Sequence, residues 1–172
     1  MKREIIRHIL ACILMLGLAI PGAAIAGGKG CQLQGTWFGV ASPQDLTITG
    51  WMVTVAGKSA DHGTNNLEFP TNHPSLFGLY PDATRASTLR GAWERTGGNT
   101  FTYKMIGIGV DDLGLPIYAA TLSGAITLSA DCKSEHITAT IEAFDAGISP
   151  FYGNPTHVLQ LPDHYGYRVS SD

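Results

Sequence analysis

The sequence predicts an all-β protein, built as an antiparallel up-and-down barrel of about eight strands. Three observations predict it: apolar and polar side chains alternate over long stretches, tight-turn sequences separate those stretches, and glycines interrupt them. Glycine within a strand favours strong coiling or close backbone approach, which a closed barrel needs more than a flat sheet. A two-layer β-sandwich produces the same alternation and is the alternative.

The first 26 residues have the pattern of a signal peptide, so residues 27–172 are expected to form one β-barrel domain. Basic residues near the N terminus precede an apolar run at residues 9–20, and the Ala-Ile-Ala sequence at 24–26 resembles a cleavage site. No apolar run is long enough for a comfortable transmembrane segment. The sequence therefore predicts a secreted or periplasmic protein.

Composition and motifs exclude several classes of function. The chain has a formal net charge of −3, and removal of the signal peptide makes it more negative. A nucleic-acid partner is not expected, because binding phosphates requires a basic surface. No phosphate loop, dinucleotide fingerprint or nucleophile elbow occurs, and the histidines lack metal-site spacing, so neither a cofactor nor a metal is expected. The sequence contains no signal for a particular oligomeric state.

Two cysteines, Cys31 and Cys132, remain after the signal peptide. In an exported chain, two cysteines are expected to form one disulfide. The bond would join the segment before the first strand to the end of the last of three strands predicted at residues 89–128. Closing a loop of about a hundred residues would add a few kcal/mol to the free energy of unfolding.

The first predicted strand carries the only family resemblance. Gly35-Thr-Trp37 resembles the G-x-W motif that opens the calycin barrels, the lipocalins and avidins, and the spacing of Cys31, Leu33, Gly35 and Trp37 is similar to the avidin opening. The resemblance implies that Trp37 closes one barrel end and that Cys31 is bonded to a later strand. It also implies that Arg168, on the last strand, stacks on Trp37 in a structural role.

A second strand is predicted at residues 46–56, where Trp51 serves either the core or a ligand platform. Residues 57–84 are predicted to form a long irregular connection with one short strand at 66–69, and such connections are often binding loops or lids. Phe77 and Tyr80 belong to an apolar segment of this connection. That segment must be covered, either at the open mouth of the barrel or on the outside of its wall.

Residues 89–128 read as three strands joined by turns at 97–99 and 111–114. Glycine and Asn/Asp in both turns are expected to supply positive φ angles. The alternation of side chains places Tyr103 and Tyr118 on two of the strand faces, as ligand-binding candidates.

The chain then returns along a strand whose odd-numbered positions at 137–143 form an inward face. Residues 145–160 read as irregular, and a closing strand starts at about Tyr165. Asp163 and His164 form the densest polar cluster. His164 is expected either to contact a ligand or to have a structural hydrogen-bonding role.

These patterns favour an exported protein with a calycin-like barrel that binds a small apolar ligand. The candidate ligand-binding residues are Trp51, Phe77, Tyr80, Tyr103, Tyr118 and His164. One alternative is a barrel enzyme that uses a histidine as acid or base, although no catalytic residue is assigned. Another is a structural or interaction module with a filled barrel. A cavity inside the barrel separates the first hypothesis from the last.

Overall fold

Ten β-strands and no helix occur in the part of the chain that the computed structural model describes, residues 30–45, 47–68 and 74–169. The predicted signal peptide at 1–26 lies outside these residues, and so do residue 46 and residues 69–73. The strands are β1 (Gly35–Val40), β2 (Ile48–Ala56), β3 (His62–Glu68), β4 (Arg85–Ala86), β5 (Leu89–Arg95), β6 (Thr100–Val110), β7 (Pro116–Leu128), β8 (Ser134–Asp145), β9 (His157–Gln160) and β10 (His164–Arg168).

Eight of these strands close into an antiparallel barrel. Their order is β1-β2-β3-β5-β6-β7-β8-β10, and β10 pairs with β8 on one side and with β1 on the other. Strands β4 and β9 are additions that pair with β6 and β8. The predicted all-β barrel of about eight strands is confirmed, and the β-sandwich alternative is wrong, because the last strand joins the two sheet edges.

The predicted alternation is seen most clearly in β6 and β7. Phe101, Tyr103 and Met105 are buried, and the residues between them are exposed or half-buried. Tyr118 on β7 is also buried and lies beside Gly109 in the strand pairing. A Cβ atom at Gly109 would come within 2.0 Å of the Tyr118 ring. The glycine therefore makes room for an aromatic side chain inside the barrel, as expected of close approach.

The turn that joins β5 to β6 and the turn that joins β6 to β7 close in different ways. Gly114 has a φ of +84°, and the Asp111 carboxylate accepts the backbone N–H groups of Leu113 and Leu115. Glycine therefore supplies a positive φ in this turn as predicted, whereas Asp contributes a side-chain acceptor and has no positive φ. Residues 97–99 have no positive φ, so that prediction is wrong for the first turn. Two successive N–H groups there donate to one carbonyl across the hairpin, and this closes the turn without a left-handed residue.

The prediction of an irregular connection over residues 57–84 is wrong in its first half. Strand β3 occupies seven residues there and pairs with both β2 and β5. Its inward positions include Gly63 and Asn65, which are buried without being apolar. Only its last three residues fall within the short strand predicted at 66–69, because inward residues such as Gly63 and Asn65 lack the hydrophobic alternation that signals a strand. Strand β9 likewise lies within residues 145–160, which were predicted to be irregular.

Candidate ligand-binding cavity

The two ends of the barrel are built differently. At the closed end, as we name it, β1, β3, β6 and β8 begin, and at the open end β2, β5, β7 and β10 begin. Aromatic side chains, arginines and the disulfide occupy the closed end, whereas the larger cavity lies toward the open end.

Trp37 is the main side chain of the closed end. It is fully buried, and its Nε1–H donates to the carbonyl of Leu33 at 2.9 Å. The Arg168 guanidinium lies over the indole, 4.3 Å from the ring centroid. Gly35 has a φ of +148°, and a Cβ atom there would lie 3.1 Å from Arg168 Nη1. Gly35, Trp37 and Arg168 therefore form one packed unit that requires glycine at its first position.

A second arginine makes a similar arrangement nearby. Arg95 lies over the Phe101 ring at 4.5 Å and forms an ion pair with Asp61 at 2.9 Å. Trp93 packs edge-on against the same Phe101 ring, with 5.6 Å between the ring centroids. The closed end thus contains two buried aromatic groups, each covered by an arginine.

The disulfide between Cys31 and Cys132 is present, with the two Cα atoms 5.3 Å apart and 101 positions apart in the sequence. This pairing was predicted and is confirmed. Arg95 donates to the carbonyl of Cys31 at 2.9 Å, and Arg168 donates to the carbonyl of Cys132 at 3.1 Å. Each half-cystine is therefore also fixed through its backbone. Disulfides of this kind persist in oxidising compartments.

A cavity of about 270 Å³ opens at the other end of the barrel. Its lining is mostly apolar and includes Leu67, Leu89, Tyr118 and Leu122, while Glu68 is the single charged side chain among its described lining residues. Apolar cavities of about 150 Å³ hold a molecule the size of benzene. The cavity is therefore large enough for an aromatic ring with a short substituent.

Part of the predicted lid segment covers this cavity. Leu76 is buried and Phe77 is 57% exposed, and both line the cavity. Their φ angles are +48° and +61°, and Gly78 follows at +87°. Left-handed conformations are unfavourable by about 1–2 kcal/mol for each residue other than glycine. The chain accepts this strain in a turn that places both side chains at the open end rather than on the outer wall.

Tyr80 supports the cavity from behind without lining it. Its ring stacks on Tyr118, with 4.6 Å between the centroids, and its hydroxyl donates to Asp145 Oδ1 at 2.9 Å. Burial, followed by the hydrogen bond to Asp145, raises the pKa of Tyr80 to about 12. Of this pair, only Tyr118 lies where it could touch a ligand.

A smaller cavity of about 60 Å³ lies between β1, β2, β6, β8 and β10. Leu67 and Leu122 line both cavities, so these two side chains stand between them. The smaller cavity has room for about two water molecules at roughly 30 Å³ each.

Tyr103 and His164, two of the predicted candidates, line the smaller cavity. The Tyr103 hydroxyl donates to the carbonyl of Thr138 at 3.2 Å, and burial raises the pKa of this phenol. The His164 Nδ1 donates to the carbonyl of Pro162 at 2.6 Å. The structure thus brings together two side chains that are far apart in the sequence, although each already bonds to the backbone.

Trp51 contributes to the edge of the smaller cavity only. It pairs directly with Phe38, which is exposed on the outer face of β1. The neighbouring Met52 points inward and is buried. Trp51 is therefore half-buried on the outer side of β2, and it is not a central platform for a ligand inside the barrel.

Asp163 and His164 do not form a pair. Asp163 Oδ2 lies 2.9 Å from Nε2 of His136, and the His136 ring packs against Tyr165 with 5.1 Å between centroids. These groups lie outside the cavities, whereas His164 points to the interior. Asp163 immediately precedes β10, and its carboxylate contacts His136 of β8 instead of the neighbouring imidazole.

Glu135 is the functional candidate that sequence reasoning missed. Its side chain is 3% exposed and lines the smaller cavity, and its Oε2 has no hydrogen-bond partner among the described residues. Burial raises the pKa of Glu135 to about 8, and the positive charge of Arg168 opposes this rise. A signal was available, because Glu135 is two positions before Ile137 and therefore shares the predicted inward face.

Two other buried side chains in the described structure lack partners. Both amide atoms of Asn65 and the indole Nε1 of Trp93 are buried without a hydrogen bond. Neither residue lines a cavity. Glu135 is thus the only one of these groups that a bound molecule inside the two cavities would meet.

Comparison with known proteins adds no assignment: no protein-family model matches the chain, and no match is found among curated proteins. Among the described residues, no three His, Cys, Asp or Glu side chains are grouped so as to hold a metal ion. The same part of the chain contains no helix that is long and apolar enough to span a membrane. The functional argument therefore depends on the geometry of the cavities.

Proposed function

We propose that this protein is an exported barrel of the calycin type that binds a small, largely apolar molecule at its open end. The observation that carries the proposal is the apolar cavity of about 270 Å³. Ligand sites are concave, mostly apolar and supplied with a few polar groups, and they usually measure roughly 300–1,000 Å³. The cavity lies just below that range, which favours a small ligand such as one aromatic ring with a short substituent.

The difference between the ends of the barrel supports binding at the open end. Trp37, Phe101 and two arginines pack the closed end, so a ligand would enter past Phe77. Leu76 and Phe77 have left-handed backbone conformations, and such strained conformations cluster at ligand-binding and active sites.

Sequence features support the export and family parts of the proposal. The N-terminal 26 residues have the pattern of a signal peptide, and the disulfide suits an oxidising compartment. The Gly35-Thr-Trp37 motif stands at the start of the first barrel strand, and Arg168 covers the tryptophan, as in the calycin resemblance.

A barrel enzyme is the second candidate, because Glu135 and His164 both line the smaller cavity. Two titratable groups in one cavity are what acid–base catalysis requires. However, a volume of about 60 Å³ leaves little space for a reacting group, and Nδ1 of His164 is engaged with a carbonyl. Binding is therefore the better supported function.

The test is a binding measurement that depends on the larger cavity. Native mass spectrometry of the exported protein would identify a co-purified small molecule, and calorimetric titration would measure the affinity for propylbenzene. Ala120 is buried and lines the cavity, so Ala120→Leu should reduce the space available and weaken binding by about tenfold or more.

Ala119→Leu is the matched control, because Ala119 precedes Ala120 on β7 and faces the other way. It should leave the affinity within about twofold of the wild type. Circular dichroism would check that both variants fold. If the folded wild-type protein binds neither a co-purified molecule nor propylbenzene, the proposed function is wrong.

A further inference from the structure

The Glu135 carboxylate occupies space that the opposite strand leaves for it. Gly166 on β10 is the direct partner of Glu135 on β8. A Cβ atom at Gly166 would lie 2.4 Å from Glu135 Oε1 and 2.9 Å from its carboxyl carbon. Only glycine fits there without displacing the carboxyl group. The fold therefore accommodates an acidic side chain at a position where an apolar residue would be the usual choice.

The groups that face Glu135 do not satisfy it. They are Arg168, Tyr103 and His164, and each is bonded to backbone carbonyls instead. Oε2 consequently remains without a donor among the described residues. A buried carboxyl oxygen without a donor is unfavourable, and such groups in native proteins have an explanation in a bound molecule or in function.

The charged side chains that line the two cavities are both acidic. Glu68 lines the larger cavity and Glu135 the smaller one, and no lysine or arginine is among the described lining residues of either. Arg168 acts on Glu135 from beside the smaller cavity, and its guanidinium is bonded to backbone carbonyls. The lining therefore offers carboxyl acceptors to a cation and no cationic side chain to an anion.

We propose that Glu135 is the recognition group of the barrel and that the ligand is a small primary amine whose apolar body fills the larger cavity. This inference rests on the proposed binding function. The protonated amine would pass between Leu67 and Leu122, which line both cavities, and would donate a hydrogen bond to Oε2 of Glu135. The apolar body would contact Leu67 and Leu122 and would extend toward Leu89.

Binding of a protonated amine also changes the ionisation of Glu135. Burial keeps this carboxyl protonated at neutral pH in the empty protein, since its pKa is raised to about 8. A positive charge placed beside it favours the carboxylate. One proton therefore leaves Glu135 for the solvent as the ammonium group binds, and the ammonium keeps its own protons. Arg168 favours the same ionised form of Glu135.

The test compares three ligands that share one skeleton and differ in the terminal group. They are 2-phenylethylamine, 2-phenylethanol and propylbenzene, titrated calorimetrically into the full exported protein at neutral pH. The amine should bind about tenfold or more tightly than the other two, as expected for a hydrogen bond between charged groups. Titration in buffers of different ionisation enthalpy should show release of up to one proton for the amine and none for propylbenzene.

Glu135→Gln keeps the size of the side chain and removes its charge. It should abolish the preference for the amine and the proton release, while leaving the affinity for propylbenzene within about threefold. Glu142→Gln is the matched control, because Glu142 lies on the same strand but lines neither cavity. Gly166→Ala is a second test, since the added methyl group should displace Glu135 and weaken only amine binding.

The outcomes separate this inference from the function on which it rests. If all three ligands bind equally well, or if Glu135→Gln retains the amine preference, the amine assignment is wrong while the binding function stands. If 2-phenylethanol is preferred, the recognised group is a neutral donor, and the assignment is again wrong. If no ligand binds the folded wild type, both proposals fail. A preference for the amine that disappears in Glu135→Gln and persists in Glu142→Gln supports the inference.

Discussion

The closed and open ends of this barrel belong to the same eight strands but are stabilised differently. At the closed end, an arginine covers each of two buried aromatic rings, and a disulfide joins residues 101 positions apart. At the open end, a turn with left-handed residues covers an apolar cavity, and Phe77 is exposed. The difference indicates that one end provides stability, which allows the other end to keep an unfilled space.

The largest expected effect comes from the disulfide. Replacing both Cys31 and Cys132 by Ala should reduce the free energy of unfolding by about 4–5 kcal/mol, because a loop of about a hundred residues is released in the unfolded chain. Urea unfolding of the wild type and the variant measures the loss. Ligand affinity of the remaining folded fraction should change little. A loss below about 1 kcal/mol would show that the closed end does not depend on this bond.

The next effect compares one aromatic residue from each end. Trp37→Ala should reduce the free energy of unfolding by about 3–5 kcal/mol, because it leaves a large void beneath Arg168. Phe77→Ala should change it by about 1 kcal/mol or less, since most of that side chain is already exposed. Denaturant unfolding of both variants gives the two values. Similar losses at the two ends would contradict the comparison.

The third expected effect concerns pH and Glu135, whose side chain lines the smaller cavity. Glu135 has a folded-state pKa of about 8, above its ordinary value of 4.5. The folded protein therefore retains a proton that the unfolded chain has lost, and the free energy of unfolding should fall as pH rises from about 4.5 to about 8. The fall should amount to about 4 kcal/mol.

Unfolding of the wild type and of Glu135→Gln at several pH values over this interval tests the prediction. The variant should lose most of the decrease, because its amide does not titrate. An unchanged slope in Glu135→Gln would assign the pH dependence to other groups.

The smallest expected effect comes from Tyr80, which lies behind the larger cavity at the open end. Tyr80→Phe removes the hydrogen bond to Asp145 and should reduce the free energy of unfolding by about 1 kcal/mol. Because the pKa of Tyr80 is raised to about 12, the absorbance change at high pH should be smaller by one tyrosine in the variant than in the wild type. If that difference is absent, the assignment of this pKa to the Tyr80 hydroxyl is incorrect.

The sequence allowed the barrel and the disulfide to be predicted, because both have local signals. Alternation in β6 and β7 defines an inward face over many residues, and two cysteines permit one pairing. The first part of strand β3 was missed because Gly63 and Asn65 face inward without being apolar. The pattern that reveals a strand is hydrophobic, and this strand does not have it.

The candidate site was harder to predict than the fold. Tyr103, Tyr118 and His164 line the cavities, but Tyr80 lies behind one cavity and Trp51 at the edge of the other. Whether an aromatic residue lines a space or fills it depends on side chains from distant strands. Glu135 shows the same limit, because its isolation results from bonds that its neighbours make to backbone carbonyls elsewhere.

The position of β10 has a consequence for how the chain reaches its native state. Because this final strand bonds to both β1 and β8, neither neighbour can complete its ladder until residues 164–168 are available. A nascent polypeptide would thus stay open until these residues had been added and could pair with both neighbours. Deletion of these five residues should leave β1 and β8 with unpaired edges and produce aggregates instead of a smaller barrel.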